Sequence, residues 1–158
     1  MAYDFNAEEI FKMAEQIERN GTKFYTTAAE KTDDPEARKF LLKLADMEVQ
    51  HGKTFAALRT ELSDKEKAPT AFDPGDEAGL YLQALADTRV FFEKEDDYSS
   101  MREILKSAIE AEKDSIVFYL GMKEIVPEKL GKDRIKSIIK EEMGHIRLLS
   151  KKLVEIGK

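Results

Sequence analysis

The chain has 158 residues, enough to bury one core, with 37% charged and 42% hydrophobic residues and a net charge of −6. It has no cysteine, which excludes disulfides, thiolate metal sites, a cysteine nucleophile and a CxxC iron–sulfur module. Acid and base are interleaved, so no Lys/Arg stripe marks a nucleic-acid partner. No apolar run approaches the roughly 18 residues of a membrane helix, and no signal peptide is expected, because MAYDFNAEEI lacks a basic segment followed by an apolar run. A cytoplasmic protein without nucleic-acid or membrane partners is expected.

Four long segments carry a helical apolar period. The first opens at a capping box, Asn6 and Glu9, and places Ile10, Met13, Ala14, Ile17, Phe24, Tyr25 and Ala28 on one face. A turn over Lys31–Asp34 follows, and Pro35 suits the first turn of the second helix. That helix reads Leu41, Leu44, Phe55, Leu58 and Leu62. Residues 63–75 hold Pro69, Pro74 and Gly75 and read as a loop, 77–92 as a short helix and 94–98 as an acidic turn. The third long helix starts at a second capping box, Ser100 and Glu103, and closes at Val126-Pro127. The fourth carries Ile135, Ile138, Leu149, Leu153 and Ile156.

The two halves repeat. At an offset of 94 residues, Glu9/Glu103, Ile10/Ile104, Lys12/Lys106, Ala14/Ala108, Phe24/Phe118 and Tyr25/Tyr119 match. Residues 6–62 and 100–156 are thus two helical hairpins, joined by 63–99 within one domain spanning 1–158. Neither hairpin can bury its apolar stripe alone. Pseudo-two-fold packing makes the first and third helices antiparallel, and likewise the second and fourth. The second and third are then parallel, so the chain must travel the length of the bundle between them. The expected fold is all-α, a four-helix bundle with one long crossover connection.

The only two histidines lie in Glu48-Val-Gln-His51 and Glu142-Met-Gly-His145, and Glu18 and Glu112 precede these glutamates by the same 30 residues. All six obey the 94-residue offset. Positions 48 and 51 continue the three-and-four spacing of the apolar series 41, 44, 55, 58, 62, and 142 and 145 do the same between 138 and 149. Glu18 is bracketed at heptad distance by Phe11 and Tyr25, and Glu112 by Leu105 and Tyr119. All six side chains are therefore expected in the core.

Burying one unpaired carboxylate costs several kcal/mol, and four together also repel. Two divalent cations carry +4 against the −4 of four glutamates. Glu and His at i, i+3 share one helix face and can reach one ion. Carboxylate-rich donors with one imidazole per ion suit iron or manganese. The expectation is Glu18 and His51 on one ion, Glu112 and His145 on the other, and Glu48 and Glu142 bridging. The pseudo-symmetry also permits the exchanged pairing. Tyr25 and Tyr119, one heptad beyond Glu18 and Glu112, are either core aromatics or hydroxyls that orient a ligating carboxylate at the catalytic centre. Glu15, one turn before Glu18, is a candidate auxiliary ligand, whereas Glu110 and Asp114 should face solvent.

The segments QIERNGTKFY, LADMEVQH, AIEAEKDSIVFY and IIKEEMGH resemble the rubrerythrin branch of the ferritin-like superfamily. The resemblance covers nearly the whole chain. It implies a ferritin-like bundle with a non-haem centre of two iron ions, held by Glu18, Glu48, His51, Glu112, Glu142 and His145. It further implies reduction of hydrogen peroxide or dioxygen. Two departures stand out. Full-length rubrerythrins carry a cysteine-ligated rubredoxin module that this cysteine-free chain lacks, so an external donor such as rubredoxin or a reductase is expected. Familiar rubrerythrins also have an additional glutamate one turn after the third-helix ligand, and that position is Ser115.

Other readings share the motifs. A ferroxidase or iron-storage protein of the bacterioferritin kind has the same ligand pattern, but its haem-binding methionine is replaced here by Val49. A dimanganese catalase-like enzyme, a hydroxylase and a non-catalytic helical module complete the alternatives. Apolar residues of the connection (Leu80, Leu82, Phe91, Phe92) are expected to cover the bundle or to form a homodimer contact.

Overall fold

A computed structural model describes residues 7–62, 77–88, 96–126 and 128–157. The elements are α1 (Ala7–Glu30), α2 (Pro35–Thr60), α3 (Glu77–Thr88), α4 (Met101–Ile125), a single 3₁₀ turn (Glu128–Leu130) and α5 (Lys132–Ile156). Four of these are the long amphipathic segments expected from the apolar period. The short helix of the connection is described as far as Thr88. The Asn6 cap, the loop over 63–75, Phe91, Phe92 and Pro127 lie outside the described residues.

Local chemistry fixes the helix ends. Asp34 caps α2, its Oδ2 accepting from the Ala37 amide at 3.1 Å, with Pro35 in the first turn where no amide is needed. Ser100 caps α4 by accepting from the Glu103 amide at 3.2 Å. The turn into α5 passes through Gly131 at φ 101°, a left-handed conformation, and a Cβ there would also strike the Leu58 side chain at 2.6 Å.

Helix directions follow from which residues meet. Gly21 lies against Glu48 and Gly52 against Glu18, so α1 and α2 are antiparallel. Tyr25 reaches Glu112 while Tyr119 reaches Glu18, so α1 and α4 are antiparallel too. His51 meets Glu142 and Glu48 meets His145, which sets α2 against α5 in the same sense. Helices α2 and α4 are therefore parallel. The 26 residues of α2 span about 39 Å, and the segment from 61 to 100 must return over that distance. Within it, α3 packs on α4, with Leu82 fully buried and Leu80 half exposed.

The interior has two apolar clusters. One contains Phe11, Phe55, Leu58, Phe118, Met122 and Ile135, and takes in Leu82 of α3. The other contains Phe24, Leu41, Leu44, Ile104, Leu105 and Leu149. Between them lies a polar layer.

Candidate metal centre

That polar layer consists of Glu18 from α1, Glu48 and His51 from α2, Glu112 from α4, and Glu142 and His145 from α5, each at most 4% exposed. The same spacing that sets leucines on the seam one turn away sets these six there. They form two overlapping groups, Glu18, Glu48, His51 and Glu142, and Glu48, Glu112, Glu142 and His145. Within each group the donor atoms lie within 4.8 Å of one another. Glu48 and Glu142 belong to both, as two bridging carboxylates would. The imidazoles are nearly parallel, with centroids 6.0 Å apart.

The hydrogen bonds inside the layer do not satisfy it. His145 Nδ1 faces Glu142 Oε2 at 3.1 Å, Glu112 Oε1 at 3.2 Å and Glu48 Oε1 at 3.3 Å. One N–H cannot serve three acceptors well. His51 Nδ1 lies 3.1 Å from Glu142 Oε1 and 3.6 Å from Glu18 Oε2. Glu18 Oε2, Glu48 Oε1 and Glu112 Oε2 are buried without a hydrogen-bond donor, the close approach of His145 to Glu48 having the wrong geometry for a bond. Inward-facing carboxylate oxygens without donors, flanked by imidazole nitrogens, are a donor set that fits a pair of divalent cations.

The crowding of these groups also shifts their protonation. Burial, reinforced by the charges of Glu142 and Glu18, lifts the Glu48 carboxyl well above its usual range. Burial raises Glu18 against the opposing pull of the nearby His51 imidazole, and raises Glu142 with help from Glu112. Burial alone would depress both imidazoles. Their carboxylate partners outweigh it, pushing His51 up to about 11 and His145 to about 12.

Both tyrosines bond across the bundle rather than along their own helix. Tyr25 donates to Glu112 Oε1 at 2.6 Å and Tyr119 to Glu18 Oε1 at 2.5 Å. Burial and the accepting carboxylates raise both phenols well above 10, so they remain donors.

Glu15 does not join the layer. It is buried, but its carboxylate faces Arg59, with Nε at 2.5 Å and Nη2 at 3.2 Å, so a guanidinium already neutralises it. Glu110 is exposed, while Asp114 is half-buried at the edge of a cavity. Ser115 is buried and donates to the Ala111 carbonyl at 3.0 Å, leaving no carboxylate at that position.

Two residues without a role in the sequence reading touch the imidazoles. Glu141 accepts from His51 Nε2, and Met47 Sδ lies 3.3 Å from His145 Nε2. The signal was available, because Met47 and Glu141 occupy equivalent positions of the repeat, directly before Glu48 and Glu142. Between α1 and α4 a cavity of about 190 Å³ reaches this layer, lined by Gly21, Tyr25, Glu48, Glu112, Ala111 and Ser115. Gly21 leaves room there for Glu48 Oε2, which a Cβ would approach within 2.8 Å.

Four glutamates and two histidines on four antiparallel-paired helices, with one long crossover, define the class: a ferritin-like bundle with a carboxylate–histidine site for two metal ions. Residues 1–59 match the Rubrerythrin family model, which includes Glu18, Glu48 and His51. Among solved structures the chain is similar to a Thermotoga maritima protein described as a ferritin-like diiron-carboxylate protein, with TM-score 0.69, 26% identity and 95% of each chain covered. Comparison with curated proteins gives no match.

Proposed function

We propose that this chain is a non-haem diiron oxidoreductase of the rubrerythrin type, reducing hydrogen peroxide or dioxygen with electrons from an external donor. The observation that carries the reading is the pair of overlapping donor groups sharing Glu48 and Glu142. Glu18 and His51 would hold one iron, Glu112 and His145 the other, and Glu48 and Glu142 both. Bound iron would supply the two electrons that cleave an O–O bond. The protein fixes the carboxylates through Tyr25 and Tyr119, surrounds the layer with apolar packing, and leaves the α1–α4 cavity as one approach to it. At about 190 Å³ that cavity is below the range of sites for larger organic ligands and suits a small molecule such as peroxide.

The test is to load metal-stripped protein with ferrous iron anaerobically and mix it with peroxide or with air-saturated buffer in a stopped-flow instrument. Two irons per chain, reoxidised much faster by peroxide, support the peroxidase reading. Equal or slower reoxidation by peroxide overturns it in favour of a ferroxidase. Evolution of oxygen from peroxide by the manganese-loaded protein, without reductant, would indicate a catalase-like enzyme.

A further inference from the structure

The 94-residue repeat holds at all six donor positions but breaks at the residue before each motif glutamate, where Met47 stands opposite Glu141. Both side chains turn to the same atom of equivalent imidazoles. Glu141 Oε2 bonds His51 Nε2, and Met47 Sδ lies 3.3 Å from His145 Nε2. In each ring Nδ1 faces the carboxylate cluster. We propose that Glu141 is a positioning residue for His51 and that the Met47–Glu141 mismatch makes the two metal positions unequal, the His51 position taking its divalent cation first and more tightly. The inference rests on the dimetal reading above.

A cation that takes Nδ1 leaves the imidazole only its Nε2–H. On His51 that hydrogen stays bonded to a carboxylate, which fixes the ring plane and makes the metal-bound nitrogen a stronger donor. On His145 it faces a thioether, a weak acceptor that supplies neither effect to the same degree. Glu141 is 51% exposed, so solvent screens its charge, and its influence runs through the direct hydrogen bond. Helix position explains the reach. Glu141 precedes the buried Glu142 by one residue, at the edge of the α2–α5 seam, where a carboxylate can be half in water and still touch a buried ring.

Anaerobic titration of metal-stripped protein with Co²⁺, followed by visible absorption and calorimetry, tests this directly. Wild-type protein is expected to bind two ions in two resolved steps. Glu141→Ala should weaken the tighter step by about 10–100-fold and leave the weaker one in place. Glu141→Gln, which keeps an acceptor oxygen, should fall between. Met47→Glu should tighten the weaker step, drawing the two together. Melting of the metal-free variants at the wild-type temperature would show that folding is not the cause. The proposal is overturned if Glu141→Ala moves both steps equally or neither, or if Met47→Glu leaves the weaker step unchanged. Wild-type protein that takes up fewer than two ions would overturn the dimetal reading along with it.

Discussion

Tyr119 on α4 donates a 2.5 Å hydrogen bond to Glu18 on α1, and Tyr25 on α1 donates one of 2.6 Å to Glu112 on α4. This reciprocal pair staples the two hairpins together at the level of the polar layer. Each hydroxyl is buried and serves a buried carboxylate, so Phe at position 119 leaves Glu18 Oε1 without a donor, and Phe at position 25 leaves Glu112 Oε1 only the shared His145 Nδ1. Tyr119→Phe and Tyr25→Phe should each lower metal-free stability by about 1–3 kcal/mol in urea denaturation. A loss below a few tenths of a kcal/mol would reduce both to core aromatics.

The metal-free protein should become more stable on acidification. Glu18, Glu48 and Glu142 and both histidines have native pKa values above their unfolded ones. For all five the native state binds more protons, so their contribution is fully present below the unfolded values and is lost as pH rises through the native ones. Within that window, from the ordinary carboxylate range up to about 11–12, stability should fall from pH 5.5 to pH 8.5. Metal-loaded protein should slope the other way, because each cation displaces protons as it binds. Melting temperatures of both forms across this range check the two signs, and a flat metal-free curve would contradict the raised values.

Glu48→Gln separates stability from binding. Glu48 is the carboxyl that burial and neighbouring charge push well above its usual range, and glutamine resembles its neutral form in size and polarity. Metal-free Glu48→Gln should be at least as stable as wild type at pH 7.5, whereas uptake of both ions should collapse, since Glu48 belongs to both donor groups. Elemental analysis and a melt of the same sample read the two effects. Retention of one tightly bound ion would mean that Glu48 serves only one position.

Gly21→Ala sets helix propensity against the site. Alanine inside a helix favours it by about 1 kcal/mol over glycine, but here its methyl would meet Glu48 Oε2 at 2.8 Å. The obstructing atom ends a flexible side chain, so the fold can accommodate the methyl by moving the carboxylate. Metal-free stability should hold or rise while affinity for Co²⁺ or Fe²⁺ drops. Unchanged affinity would show that Glu48 binds from another rotamer.

The bundle and its six polar positions were legible because both rest on periodicity. Leu44, Glu48, His51 and Phe55 follow one three-and-four series, so the sequence placed the glutamate and the histidine where the leucine and phenylalanine also point. The repeat then fixed helix directions, which the Tyr25–Glu112 and Tyr119–Glu18 bonds bear out. What spacing along one helix does not reveal is the partner across the bundle. The heptad set each tyrosine in line with the glutamate of its own helix without saying which carboxylate it meets, and the antiparallel neighbour supplies the one it bonds. Glu15 shared the correct face with Glu18, yet Arg59, 44 residues on, had claimed it. Glu141 was passed over because a half-exposed residue beside a motif has no periodic signature.

Among the described residues the polar layer lies between two separate apolar clusters. Without cations the helices resemble beams clamped at both ends and soft in the middle. Thermal opening would then concentrate at mid-helix rather than fray inward from the tips. Amides near Glu18, Glu48, Glu112 and Glu142 should exchange with deuterium sooner than those flanking Phe55 or Leu105, and two bound ions should erase the difference. Two ions held there would act as a rivet at mid-span, so occupancy of the layer would also set where the backbone can breathe.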